Sequence, residues 1–458
     1  MTGDAPTDAP TDAPTDAPTD APTDAPTGSP GAAPVDERGR PGPDRRRLLG
    51  GAGLLGLGGG VVLGTGVALG TQRLLPDRPN PVEAARRAAV AAVAGDGRHQ
   101  PGIAERAPAH LIFTAYDLIS TEPTAVRSAL AALLRTWTSA SAVLMRGEPT
   151  AGAERDTAGL GPAALTVTVG LGASALRRAG LDTRIPGPLA DIPALPGDRI
   201  DAARGGGDLA VQVCAEDPMV AYSAARQLRR IAAAYVQPRW VQRGFQRTAA
   251  GAADPDATPR NLMGQVDGTD NPRPGTAQFD LAVWAADGPA WMRGGTYVVC
   301  RRIRMLLDSW DRLTEAAQSE VIGRRKSDGA PLSAPPADQG GGETTAPDFA
   351  ARTADGRPAI AVNAHIRLAH PQFHGGVAMF RRGYSYDDGL DATGEPDAGL
   401  FFQAYQADPR TAFVPVQRAL AASDALSTFI RHTSNALFAI PPAPPPGGFL
   451  AQQLLDGA

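Results

Sequence analysis

After residue 80 the apolar positions follow two different spacings. Between Ala125 and Trp137 they recur every three or four residues, which predicts a helix. Pro81 to Ala94, alanine-rich with charges at helical spacing, and Pro218 to Tyr235 read the same way. Alternating or β-branched runs predict strands over His110–Tyr116, Leu165–Val169 and Asp208–Cys214, with Gly170-Leu171-Gly172 turning the second into a helix over 173–179. The second half repeats the rhythm. Strands are expected over Thr296–Arg304, Met379–Arg382 and Leu400–Gln406, and helices over Ser309–Ala317 and Pro415–Arg431. Ser327 to Pro358 is rich in Pro, Gly, Ala and Asp and reads as a long loop. This order suits an α+β fold with helices on one sheet face.

The first seventy residues follow neither spacing. Residues 4–27 are six copies of Asp-Ala-Pro-Thr, and proline at every fourth position blocks helix where nothing large and apolar can pack. Disorder is expected through residue 44. Arg45-Arg46-Arg47-Leu48-Leu49 then precedes an uncharged run to Gly70, the layout of a signal peptide. Paired arginines followed by leucines resemble the twin-arginine export signal. Seven glycines between Gly50 and Gly60 keep the run only mildly hydrophobic, and Ala68-Leu69-Gly70 offers a small-x-small cleavage site. The competing reading is an uncleaved anchor, because 23 residues from Leu48 to Gly70 can span a bilayer. The twin-arginine route carries proteins already folded, so the expectation is an exported, extracellular or cell-envelope protein that acquires its cofactor in the cytoplasm. Its contact with membrane is confined to the signal segment. The expected organisation is 1–44 disordered, 45–70 signal, and two folded halves over 71–260 and 261–458.

Charge narrows the function. The chain of 458 residues has net charge −4, and residues 1–70 alone account for it, with nine acids against five bases. The remainder balances at 39 against 39, which argues against nucleic acid as a partner. Two cysteines, Cys214 and Cys300, exclude a disulfide scaffold and a Cys-rich metal site, and in predicted strands they read as small buried hydrophobes.

Three segments carry candidate chemistry. Gly264-Gln265-Val266-Asp267-Gly268-Thr269-Asp270-Asn271-Pro272 flanks an acid with glycines that allow close backbone approach; alone, it is equally a plain Asp-Gly turn. Asn363-Ala364-His365-Ile366-Arg367-Leu368-Ala369-His370-Pro371 ends an apolar stretch with a histidine, either a satisfied core residue or an axial ligand of haem iron. His370 and His374 compete with it and look more exposed. Phe380-Arg381-Arg382-Gly383-Tyr384-Ser385-Tyr386 puts two arginines at a strand end, where they form a solvated pair or stabilise charge beside a carboxylate.

Together, and in this order, the three segments resemble the dye-decolorizing peroxidases. The likeness extends over Leu165–Leu171, Gly207–Cys214, Trp240–Gly244, Trp291–Arg304 and Gly399–Ile440, so it covers roughly residues 107–446. It is closest to the exported bacterial subgroup, some members of which are linked to iron uptake. The resemblance implies two ferredoxin-like α+β halves, antiparallel sheets with peripheral helices, and one haem b per chain held mainly by the second half. It implies His365 as the proximal iron ligand and Asp267 as the distal acid–base residue. Arg382, preferred over Arg381, is implied as the distal arginine, Asn271 as a distal group holding water or peroxide, and Asp424 as the carboxylate that takes the other N–H of His365. One departure is the stretch between Arg325 and Arg357, longer than the family's pattern.

The implied activity is reduction of hydrogen peroxide through a ferryl intermediate, with dyes or phenols as organic reductants. Tyr384, Tyr386, Trp291 and Trp310 are candidate surface relays for electrons, though residues of these types more often simply pack in the core. A carboxylate, with an ordinary pKa of about 3.9, stays a base in acid where an imidazole at about 6.5 is protonated, so dye oxidation is expected to favour acidic pH. Removal of iron from haem with the porphyrin kept is a second enzymatic reading. A haem- or iron-delivery protein with incidental turnover is a third. Extended loops suit assembly into a homo-oligomer.

Overall fold

Short strands rich in Val, Leu, Ala and aromatic residues alternate with helices, and the strands pair into one closed antiparallel sheet. The computed structural model describes residues 81–456, except 95–96, 157 and 249–256. The expected disordered repeats and signal segment lie outside the described residues. Among the described residues ten strands form: β1 (His110–Leu118), β2 (Thr166–Leu171), β3 (Leu209–Ala215), β4 (Val236–Phe245), β5 (Thr296–Met305), β6 (Phe380–Arg381), β7 (Tyr384–Leu390), β8 (Pro396–Gln406), β9 (Ile430–His432) and β10 (Ala436–Ile440). The helices are α1 (Pro81–Val90), α2 (Pro123–Met145), α3 (Ala173–Arg178), α4 (Pro218–Ala232), α5 (Ala277–Val283), α6 (Leu307–Asp311), α7 (Glu315–Ile322), α8 (His365–Ala369), α9 (Phe413–Ser423) and α10 (Gln452–Leu455).

The sheet runs β8-β7-β4-β1-β3-β2-β10-β5, and the β5–β8 pairing, with Tyr297 opposite Gln406 and Arg304 opposite Gly399, closes it into a barrel. β6 continues β7 along β8, and β9 continues β10 along β5. Within the first half the order is β4-β1-β3-β2, and the second half arranges its strands equivalently. The fold is therefore α+β, an antiparallel barrel with peripheral helices.

Alternation along the strands makes two cores. Leu209, Val211 and Val213 point outward under α2 and α4, against Leu130, Leu133, Leu134, Trp137 and Leu228. Ala210 and Cys214 point inward with Leu111, Phe113, Phe401, Tyr405 and Phe438. Both faces of β3 are buried, so it reads as an apolar run interrupted only by Gln212. The two long helices start where expected for physical reasons. Glu122 and Asp217 cap the first amides of α2 and α4, and each helix has proline at its first position.

Several elements differ from expectation. β4 was not anticipated: its buried positions are Val236, Trp240, Gln242 and Gly244, two of them not apolar side chains, so its hydrophobic signal is weak. The expected helix over 309–317 is two, α6 and α7, because Thr314 caps a new start through a bond to the Ala317 amide. The expected helix to Arg431 stops at Ser423, where Asp424 caps a following 3₁₀ turn and the chain enters β9. The long loop is a loop, with one 3₁₀ turn at Ala337–Gln339. Cys214 and Cys300 are free and buried, and burial pushes both thiols up. Tyr384, Tyr386, Trp291 and Trp310 are all buried, so none is a surface relay.

Candidate active site

The connection from β5 to β6 packs no long helix on the outer face of the second half. In its place is a cavity of about 240 Å³, partly open to solvent. Ile303 and Met305 of β5, Leu400 and Phe402 of β8, and Val416 and Leu420 of α9 give it an apolar floor and wall.

His365 stands at the first position of α8, in this cavity. Its Nδ1 lies 2.7 Å from Oδ2 of Asp424. Asp424 is held firmly: it ends α9, its other oxygen accepts the Leu426 amide, and its side chain is only 2% exposed. The next amide, Ala425, donates to the carbonyl of Asn363 and ties this turn to the segment leading into His365. Burial pushes the His365 pKa down. The charge of Asp424 and its hydrogen bond, with Asp267 adding to them, outweigh burial and raise it above the ordinary histidine value. With Nδ1–H donated to Asp424, Nε2 is the atom with a free lone pair.

Asp267 lines the same cavity from a hairpin-like turn. Its amide donates to the Pro259 carbonyl, and Oδ2 accepts from Asn261 at 3.2 Å. The glycine that follows adopts φ +131°, and a Cβ there would meet Thr258 at 3.1 Å, so the turn requires Gly268. Asp267 also lines a second, surface cleft of about 1110 Å³ and so links the inner cavity to the outside.

The adjacent arginines separate, and in the reverse sense to expectation. Arg381 lines the inner cavity, with Nη1 3.8 Å from Oδ1 of Asp267 and Nη2 donating to the Thr269 carbonyl at 2.7 Å. Arg382 points into the barrel. It is 3% exposed, donates to the carbonyls of Ile103, Glu105 and Arg106, and lies near Cys214, Tyr384 and Tyr405. Strand alternation is the cause: Phe380, Arg382, Tyr384 and Tyr386 are buried on one side, and Arg381 falls on the other. The three inward aromatics at even positions were a signal in the sequence that Arg381 faces out.

Asn271 is also placed differently from expectation. Its Nδ2 donates to the Arg381 carbonyl and its Oδ1 accepts the Arg381 amide, both at 2.8 Å. The side chain imitates a strand partner and fixes Arg381 instead of pointing into the inner cavity. His370 lines the cavity 3.9 Å from Asp270, whereas Nε2 of His374 is bonded to the Leu368 carbonyl. His99 stacks on Trp284, away from the site.

Two cavity residues escaped the sequence reading. Arg324 is buried beneath the Asp267 turn and donates to the carbonyls of Gly329 and Glu343. His432 lines the floor near the buried Arg301–Asp198 pair, and burial, then Arg301 and His365, push its pKa down to about 3. Neither position carries a local motif.

The residues brought together are one imidazole with a carboxylate partner in a cavity with largely apolar walls. A second carboxylate beside an arginine completes the set. A single axial nitrogen and apolar walls are the donor set of a haem site. Residues 100–246 match the N-terminal model of the Dyp-type peroxidases and residues 258–444 the C-terminal one. The chain is 48% identical to a dye-decolorizing peroxidase of Thermobifida fusca, over 82% of this chain and 88% of that protein. It is 32% identical to a deferrochelatase of Yersinia pseudotuberculosis, over 79% and 84% respectively. The crystal structure of ferric DtpA from Streptomyces lividans superposes with a TM-score of 0.77 at 46% identity, covering 81% of this chain and 99% of that one. The chain therefore belongs to the Dyp-type peroxidase family, and it is an enzyme, a haem-dependent peroxidase of that family.

Proposed function

We propose that this protein is an exported dye-decolorizing peroxidase that reduces hydrogen peroxide at the expense of a small organic reductant, using His365, Asp267 and Arg381. It binds one haem per chain. The observation that carries the reading is that Asp424-held His365, Asp267 and Arg381 line one apolar cavity. We read the two four-stranded halves, near 71–260 and 261–458, as ferredoxin-like repeats, with haem held mainly by the second.

His365 and the apolar residues of the cavity would hold the haem, which when bound would supply the redox chemistry. The residues do the rest. Asp424 accepts the Nδ1 proton of His365, keeps the ring oriented and makes Nε2 a stronger donor. Asp267 takes a proton from hydrogen peroxide and returns it to the departing oxygen, which leaves as water. Arg381, fixed by Asn271, stabilises the negative charge that develops between those transfers. Asn271 thus acts on peroxide only through Arg381, and Arg382 and Asp424 touch neither peroxide nor its protons.

Deferrochelatase relatives at 32% identity keep iron removal as a second reading. The residues at 45–70, with their paired arginines, support export by the twin-arginine route. The test is to incubate the purified protein with haem, peroxide and a dye, and follow both the absorption spectrum and the products. Oxidised dye with intact haem is expected. Free porphyrin with unchanged dye would replace this reading with the second one.

A further inference from the structure

The peroxidase reading gives no task to the stretch between Arg325 and Arg357. This stretch contributes one carboxylate to the site's surroundings. Oε1 of Glu343 accepts two hydroxyl hydrogen bonds, from Thr258 at 2.5 Å and from Thr269 at 2.8 Å. These threonines bracket Asp267. Thr258 precedes Pro259, whose carbonyl receives the Asp267 amide at 2.8 Å. Thr269 follows Gly268, and its carbonyl receives Nη2 of Arg381 at 2.7 Å. One oxygen atom thus joins the two strands of the turn that presents Asp267 and, through Thr269, reaches Arg381.

The clasp is itself anchored. Arg324, 8% exposed, donates Nη1 to the Glu343 carbonyl at 2.9 Å and to the Gly329 carbonyl at 2.7 Å. Gly329, at φ +73°, sits so close that a Cβ there would lie 3.1 Å from Val266 and 3.3 Å from Cγ of Glu343. The loop is therefore packed against the turn from outside, and Glu343, Thr344, Thr345 and Pro347 line the surface cleft that leads to Asp267.

We infer that Glu343 is a positioning residue for the peroxide step: its carboxylate clasps Thr258 and Thr269 and so sets the separation of Asp267 and Arg381. The inference rests on the reading of those two residues as the pair that handles peroxide. Acid–base transfer is sensitive to misplacement, and a shift of about 1 Å can cost about 100-fold in rate. A clasp acting through position gives a loss within that bound, without any loss of haem.

The test uses the full holoenzyme in the parent form and as Glu343→Ala, Glu343→Gln, Thr269→Val and Asp267→Asn. Rapid mixing with peroxide reads the first absorbance change, and haem content is measured alongside. Hydrogen–deuterium exchange of the apoprotein over residues 264–271 reads the turn without the cofactor. Glu343→Ala is expected to slow the peroxide step about ten-fold or more, at full haem content, with faster exchange across the turn. Glu343→Gln keeps an acceptor oxygen and is expected to restore both readouts to near the parent. Thr269→Val keeps the side-chain shape, removes one donor and is expected to fall between them. Parental rates in Glu343→Ala and Thr269→Val, with Asp267→Asn slow, would overturn the inference and leave the peroxidase reading intact. A parental rate in Asp267→Asn would instead remove the reading on which it rests. Equal slowing by Glu343→Ala and Glu343→Gln would also overturn it, because the retained acceptor would then have done nothing.

Discussion

The two halves of the barrel share a strand order and use their outward faces oppositely. Over β1–β4 lie α2, of 23 residues, and α4, of 15, and the space between helix and sheet is filled by side chains such as Leu130, Leu133, Leu134 and Trp137, all inaccessible to solvent. Over the second half, the connection from β5 to β6 contains helices of only 5, 8 and 5 residues. The apolar residues that would have packed under a long helix, Ile303, Met305, Leu400 and Phe402, line a cavity. One crossover completes a core, and the other leaves a core incomplete. On the proposed function, the haem supplies the missing apolar surface, and the broken crossover supplies His365 on one short helix. A cofactor site of this kind is a packing problem solved with a ligand, since apolar area left open costs about 25 cal/mol per Å² relative to burying it.

The largest expected effect separates the halves outright. His365→Ala should emerge with little or no haem and no dye oxidation, whereas His374→Ala should hold a full complement. The haem-to-protein absorbance ratio measures both. Retention of the parental spectrum in His365→Ala would end the comparison, because the cavity would then bind without its imidazole.

Next come the acid and the two arginines. Asp267→Asn should slow the peroxide step by about 10²- to 10⁴-fold, and Arg381→Leu by about 10²- to 10³-fold. Arg382→Leu strands carbonyls inside the barrel, so it should lower stability by about 1–3 kcal/mol for each group left unpaired, with little change in that rate. Stopped-flow mixing and thermal melts on the same three proteins decide it. A slow Arg382→Leu beside a parental Arg381→Leu would restore the assignment implied by resemblance.

A cut in the filled half should behave differently from one in the cavity half. Leu130→Ala is expected to cost about 2–5 kcal/mol of stability while the haem ratio stays at the parental value. Loss of haem from this variant in the folded state would mean the halves are not independent in the sense drawn here.

The most gradual effect, spread over several pH units, concerns acid. His432 is held neutral, with its pKa pushed down to about 3 by burial first and then by Arg301 and His365. The unfolded chain takes up this proton near pH 6.5. Between about 6.5 and about 3 the unfolded state therefore binds more protons, so stability falls as pH falls. Below about 3 the contribution stops changing. His432→Gln should flatten that slope by at most about 1.4 kcal/mol per pH unit, measured by denaturant unfolding of the apoprotein at several pH values. An unchanged slope would show that other groups carry the acid sensitivity.

Sequence pattern alone located β1, β3, β5 and α4 closely, and the start of α2 though not its end at Met145, because their apolar spacing is regular and the helix caps are local. Short motifs marked the segments around Asp267 and His365, and their combined resemblance to a family, not pattern alone, gave them and Asp424 their implied roles. Pattern missed β4 and β10 and ran α9 onward through Asp424, because those boundaries depend on which neighbour covers a strand and on which side chain caps a turn. The tertiary structure alone decided the roles of neighbouring residues. Arg381 and Arg382 are chemically identical and adjacent, and only the side of the barrel each faces distinguishes them. Asn271 carries the same amide in either role, and its partner 110 positions away determined which one it plays. Glu343 belongs to a loop without periodicity, and its two threonine partners lie 85 and 74 positions away. Composition and spacing report what a residue can do. Which groups it meets is set by barrel closure, which brings together segments that no local pattern connects.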